Sequence, residues 1–88
     1  MYANAIKFLK EFVDNFVNVY KVQLPILAHK YNELSKLYYY QNDCQKAEKY
    51  GLKARELYSV FYKDIPFKEK DELNERLVDV QNELKIKK

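Results

Sequence analysis

The sequence predicts an all-α protein, a stack of about four antiparallel helices, and three observations predict it. The 88 residues contain only 1 Gly and 2 Pro, too little turn chemistry for the many hairpins of an all-β domain and no glycine-rich loop to cradle phosphate. Apolar residues recur at spacings of three and four, the period of a helix with one buried face. Finally, Pro25, the pair Asn42–Asp43 and the Asp64–Pro66 segment are stop-and-restart signals that cut the chain into stretches of helical length. No linker or low-complexity tract interrupts residues 1–88, so one domain is expected.

The first element runs from Tyr2 to about Val22. Ile6, Leu9, Val13, Phe16 and Tyr20 share one face, and Lys7, Lys10, Asp14, Asn18 and Lys21 share another. A second apolar row of Ala5, Phe8, Phe12 and Val19 widens the arc beyond what a one-sided surface helix requires, so something should cover both flanks. Pro25 suits the first turn of the second helix, where a missing N–H is no loss, and that helix extends to about Gln41. Asn42 and Asp43 make a turn and can cap a third helix from Cys44 to about Tyr62. After Asp64 and Pro66 a fourth helix, from Phe67 to about Leu84, carries Leu73, Leu77, Val80 and Leu84 as one narrow stripe among charged and polar neighbours.

Charge and composition narrow the function classes. The net charge is +3 with acids and bases interspersed, which argues against a dedicated nucleic-acid binder. With 48% apolar residues, 9 Tyr and 5 Phe, the chain can bury enough surface to offset its entropy. The longest apolar run, Leu24 to Ala28, is five residues, far short of a spanning helix, and the N-terminal stretch has no apolar signal core. The single Cys44 can form no internal disulfide, which favours a reducing compartment and a cytoplasmic location.

The chain also repeats itself. A shift of 42 residues lays Ala47-Glu48-Lys49-Tyr50 on Ala5-Ile6-Lys7-Phe8, Tyr58 on Phe16, and Asn74-Glu75 on Asn32-Glu33, while a shift of 41 brings Pro66 onto Pro25. Fixed periods of this length are the signature of solenoids. In the second helix Tyr31, Leu34, Ser35 and Tyr38, and in the third Ala47 and Ala54, stand at the distances of a known pattern. The segment thereby resembles the tetratricopeptide repeat, and its longer period is similar to the 42-residue variant of kinesin light chains. The resemblance implies half a repeat over 2–22, a full repeat over 25–62 and a half repeat or cap over 66–86. Two helices can approach to about 8–10 Å only where small side chains meet, and Ser35 and Ala47 are the expected pair. Two departures stand out. Gly51 occupies a position where the family usually has an aromatic, costs about 1 kcal/mol of helix propensity and marks a close contact; and no Pro follows Ala54 at the ordinary distance.

Repeats cannot bury their apolar faces alone, and about three are usually needed. Two suggest either a fragment of a longer protein or self-association, with a homodimer through the Tyr2-to-Val22 helix expected and coverage of that helix by the last one as the alternative. In the resembled family the first helix of each repeat lines a groove for peptides, which points to His29, Asn32, Glu33, Lys36, Tyr39 and Tyr40 as partner-binding residues; for any one of them a merely solvated helix face is the competing reading. Asn32 and Lys36 offer part of the family's carboxylate clamp, but two repeats cannot complete one. Lys85, Lys87 and Lys88 suit the negative end of the last helix.

No catalytic set is expected. His29, the only histidine, has no Ser, Cys or Asp at a recognisable motif spacing, one His and one Cys make no metal site, and Asp71-Glu72 lies on a polar helix face. No cofactor is implied. The reading is a non-catalytic protein–protein interaction module, a scaffold binding a protein or peptide partner. Its rivals are a structural segment that caps or dimerises a larger assembly, and a helical bundle similar to the microtubule-interacting and transport domains, which would bind a partner helix. Basic residues interleaved with Tyr could stack single-stranded nucleic acid, but the mild net charge and the acidic neighbours argue against it.

Overall fold

Proline at a helix start needs no N–H partner and already holds the required φ, and the second helix begins on Pro25. The computed structural model describes residues 2–15 and 25–86, and these form four helices: α1 (Tyr2–Asp14), α2 (Pro25–Tyr40), α3 (Cys44–Phe61) and α4 (Lys68–Ile86). The all-α expectation holds, with boundaries within a residue or two of those read from the sequence for α2, α3 and α4. The expected continuation of the first helix to Val22, with Phe16, Val19 and Tyr20, lies outside the described residues.

The turn between α2 and α3 accounts for its polar groups. Asp43 N donates to Tyr38 O (3.0 Å) and Gln41 N to Leu37 O (3.2 Å), so the last carbonyls of α2 find partners. Asn42 takes a left-handed φ of 62°, a conformation that Asn adopts more readily than most side chains. Asp43 then caps α3, its side chain accepting from Lys46 N at 3.2 Å. Between α3 and α4, Lys70 Nζ donates to Tyr62 O (2.8 Å) and Ile65 O (3.0 Å), placing a cation on the carbonyls where α3 ends. Glu69 and Asp71 in the first turn of α4 and Lys85 in its last turn match the helix dipole.

The contacts give the arrangement of the helices. Tyr2 meets Tyr40 and Phe12 meets Lys30, so α1 and α2 run antiparallel. Ser35 meets Ala47 while His29 meets Tyr62, so α2 and α3 do the same. Between α2 and α4 the order is parallel: Arg76 bonds Asn32 across 44 residues and Tyr39 bonds Asp79 across 40. Those offsets lie on either side of the 42-residue shift read from the sequence.

Close approach is achieved where it was expected. Ser35 and Ala47 are both 0% exposed, and Ser35 Oγ donates to Ala47 O at 2.7 Å. Gly51 explains itself in the same place: a Cβ there would lie 2.7 Å from Leu77 Cδ2 and 3.0 Å from Ser35 Oγ, so only hydrogen lets α4 press against α3. One buried cluster draws on all four helices, with Ile6, Leu9 and Val13 from α1 joining Leu27 and Leu34 of α2, Leu57 and Tyr58 of α3, and Leu73, Leu77 and Val80 of α4.

One expectation is corrected. The second apolar row of α1 is not covered by the last helix, because α4 packs on α3 and α2 rather than on α1. Phe8 stays 66% exposed and Ala5 is exposed beside it, while Phe12 is half-buried with Lys30 Nζ 5.4 Å from its ring centroid.

Candidate functional site

The residues singled out on α2 divide into two groups once α4 is in place. Because α4 lies parallel to α2 at the repeat offset, it meets the edge of α2 that carries Asn32 and Tyr39. Residues a further turn around α2 remain open: Glu33, Lys36 and Tyr40 are exposed, and the Tyr40 ring lies tilted against Tyr2 (5.8 Å) and Tyr39 (6.2 Å).

The first group forms a continuous polar chain. Arg76 of α4 donates to Asn32 Oδ1 through Nη1 (3.1 Å) and Nη2 (2.6 Å). Asn32 Nδ2 donates to the Tyr58 hydroxyl (3.3 Å), which lies 2.9 Å from His29 Nδ1. Arg76, Asn32, Tyr58 and His29 thus form one connected chain, in which Tyr58 accepts from Asn32 and its partner role toward His29 follows the histidine tautomer. His29 is exposed on one side, yet its ring packs edge-on against Tyr58 and Tyr62, each 5.3 Å away, and tilts against Phe67 at 5.9 Å. This aromatic knot ties the start of α2 to the end of α3 and the start of α4.

Tyr39 is committed as well, its hydroxyl donating to Asp79 of α4. That bond, more than burial, raises its pKa, since a proton shared with a carboxylate is harder to remove. Burial is the first cause for Tyr58, opposed by the Asn32 hydrogen bond. Of the six partner-binding candidates, then, His29, Asn32 and Tyr39 tie α2 to α3 and α4, and Glu33, Lys36 and Tyr40 are exposed.

Arg76 was missed in the sequence. It is 8% exposed, its Nε has no partner, and no carboxylate pairs with it among the described residues. Burial lowers its pKa, offset in part by Tyr40, Glu72 and the other nearby oxygens. The 42-residue shift read from the sequence offered a signal: it places Arg76 on Leu34, which is 0% exposed, and a charged residue at a core register requires an explanation. The explanation is Asn32, which supplies the acceptor.

A hollow of about 940 Å³ lies elsewhere, between the Asn42–Glu48 segment and the Gln81–Lys85 end of α4. Among the described residues no three His, Cys, Asp or Glu side chains group to hold a metal ion, and no helix is long and apolar enough to cross a membrane. No protein-family model, curated protein or solved structure significantly matches the chain.

Proposed function

We propose that this chain is a non-catalytic protein-interaction module of the tetratricopeptide kind, a cytoplasmic scaffold segment that binds a polypeptide partner on the open face of α2. The observation that carries the reading is the division of α2. One edge is spent on α4 through Asn32 and Tyr39, whereas Glu33, Lys36 and Tyr40 stay exposed, an acid, a base and a 52% exposed tyrosine. Tyrosine gives large contact area at low entropy cost and is enriched at interfaces. The test is a native-lysate capture with the wild-type chain and with the Lys36→Ala/Tyr40→Ala double variant, read by mass spectrometry. A partner held by the wild type and lost from the variant supports the reading, provided stability stays within about 0.5 kcal/mol, as exposed positions allow. Identical capture by both chains refutes this face.

A second reading, a structural segment that dimerises, is favoured by α1. Its Ala5 and Phe8 flank is open, with Phe8 66% exposed, and an exposed aromatic side chain on a small helical stack is the natural place for a second copy. Phe8→Glu should then turn a dimer into a monomer in light scattering, and a wild-type monomer at all accessible concentrations would remove this reading.

A further inference from the structure

Where α3 ends and α4 begins, the chain leaves a hollow of about 200 Å³, lined by Arg55, Tyr58, Ser59 and Lys63 on one side and by Lys70, Leu73 and Asn74 on the other. That is below the roughly 300–1,000 Å³ of a cavity for a drug-sized molecule, so its occupant is small. Tyr58 and Leu73, 2% and 1% exposed, make a largely apolar floor. The rest of the lining is Ser59, the Asn74 amide and three cations, with no Asp or Glu among them. Glu56, Asp64, Glu69, Asp71 and Glu75, the acids nearest along the chain, all stand outside the lining.

The cations are not neutralised elsewhere. Neither Arg55 nor Lys63 makes an ion pair with a described residue; the ion pair found among these residues is Lys68–Glu72, along α4. Lys70 is held in place, its Nζ donating to Tyr62 O (2.8 Å) and Ile65 O (3.0 Å) and lying 5.5 Å from the Phe67 ring centroid. Two of its three hydrogens are thereby used and one is left over. The position matters, because the carbonyl end of a helix repels anions and Lys70 covers that end of α3. Ser59 lies four residues from both Arg55 and Lys63; its Oγ donates to Glu56 O at 2.6 Å, so it gives the site room rather than a donor.

We infer that this hollow binds a phosphate group. Charges of one sign above a low-dielectric floor focus their field on a counter-ion, and the lining of this hollow carries positive charge alone. A phosphate monoester brings about −1.5 to −2 charges at pH 7 and three strong acceptor oxygens, a match for three cations and the Asn74 amide. A carboxylate offers one charge and two oxygens. The guanidinium fork of Arg55 suits phosphate geometry, and lysines serve it as point charges. Two sources carry this chemistry: free phosphate, and a phosphorylated side chain of another polypeptide. None of Glu33, Lys36 and Tyr40 lines the hollow, so the site is independent of the partner face proposed on α2.

The experiment follows backbone amide shifts of the full chain by NMR during titration with O-phosphoserine, with inorganic phosphate and with acetate, all at one ionic strength so that screening is constant. Saturable shifts clustered on Arg55, Ser59, Lys63, Lys70 and Asn74 are expected with both phosphate compounds, and acetate should bind at least about tenfold more weakly. This mapping uses the wild type and needs no variant to fold. Arg55→Gln/Lys63→Gln should weaken O-phosphoserine binding about tenfold, while Lys7→Gln/Lys10→Gln, with the same change in net charge, stays near wild type. Tighter binding of O-phosphoserine than of inorganic phosphate supports the site and assigns its source to a phosphorylated side chain; the reverse order supports it and assigns the free anion. Shifts that never saturate, or that spread over lysines of all four helices, mean an adventitious ion only and overturn the inference. Equal weakening by both double variants, or acetate binding as tightly as phosphate, overturns it too. None of these results bears on the Lys36/Tyr40 capture experiment, so the two surfaces stand or fall separately.

Discussion

Gly51→Ala is the substitution whose sign the structure decides. By helix propensity alone it should stabilise the chain by about 1 kcal/mol. The structure opposes that gain: the new methyl would sit 2.7 Å from Leu77 Cδ2, 3.0 Å from Ser35 Oγ and 3.3 Å from Leu77 Cγ, where carbon contacts normally settle at roughly 3.5–4.0 Å. Neither neighbour can retreat cheaply. Leu77 is 1% exposed, and Ser35 Oγ is held by its 2.7 Å bond to Ala47 O. Overpacking of this kind costs about 1–3 kcal/mol, so the net effect is a loss of about 1 kcal/mol, or roughly 4–8 °C in Tm for a domain of this size. Chemical denaturation followed by helical circular dichroism measures it. The mechanism is tested by repeating the change in a Leu77→Val chain, which lacks the offending Cδ2: there the cost of Gly51→Ala should shrink by about 1 kcal/mol and approach zero. A wild-type chain made more stable by Gly51→Ala would refute the close approach of α3 and α4.

Other predictions follow from the same packing. Ala47→Leu should overpack the α2–α3 crossing and cost about 1–3 kcal/mol; an unchanged melting temperature would contradict the pairing of Ser35 with Ala47. Asn32→Ala should cost about 2 kcal/mol or more, because it strands the buried guanidinium of Arg76, yet cost little once Arg76→Leu has removed that charge; a double-mutant cycle showing no coupling would disprove the role of Asn32 as the acceptor. Tyr58→Phe should cost about 0.5–1.5 kcal/mol, since Asn32 and His29 lie near enough to solvent to find water, and equilibrium unfolding reads it. Tyr31, Tyr39, Tyr50 and Tyr58 all have pKa values raised above 10.0, by burial for Tyr31, Tyr50 and Tyr58 and by the Asp79 hydrogen bond for Tyr39. Folding favours their neutral forms, so this contribution to stability is fully present below pH 10 and is lost as pH rises through the folded-state values. Ultraviolet titration should show these tyrosines ionising later than the exposed ones, with unfolding free energy falling over the same alkaline range.

The sequence by itself determined the helices, their order and much of their packing, because those depend on local chemistry and on a period that can be counted. Pro25 and Asp43 start helices through their own backbone and side-chain preferences, Leu73, Leu77 and Val80 recur on one face, and the small residues Ser35, Ala47 and Gly51 show where neighbouring helices must nearly touch. The hydrogen bonds between α2 and α4 span 44 and 40 residues, near the shift read from the sequence. What only the tertiary structure decided is which polar side chains are spent inside and which are left for others. Asn32, Tyr39 and Lys36 look alike along one helix. Their fates separate only when α4, some 40 residues away, brings Arg76 to Asn32 and Asp79 to Tyr39 and brings nothing to Lys36. The three cations of the hollow between α3 and α4 likewise converge only once the chain turns and brings Lys70 to the same site as Arg55 and Lys63. Hydrogen bonds and charge fields act through space between distant segments, so no periodicity within one helix could reveal them.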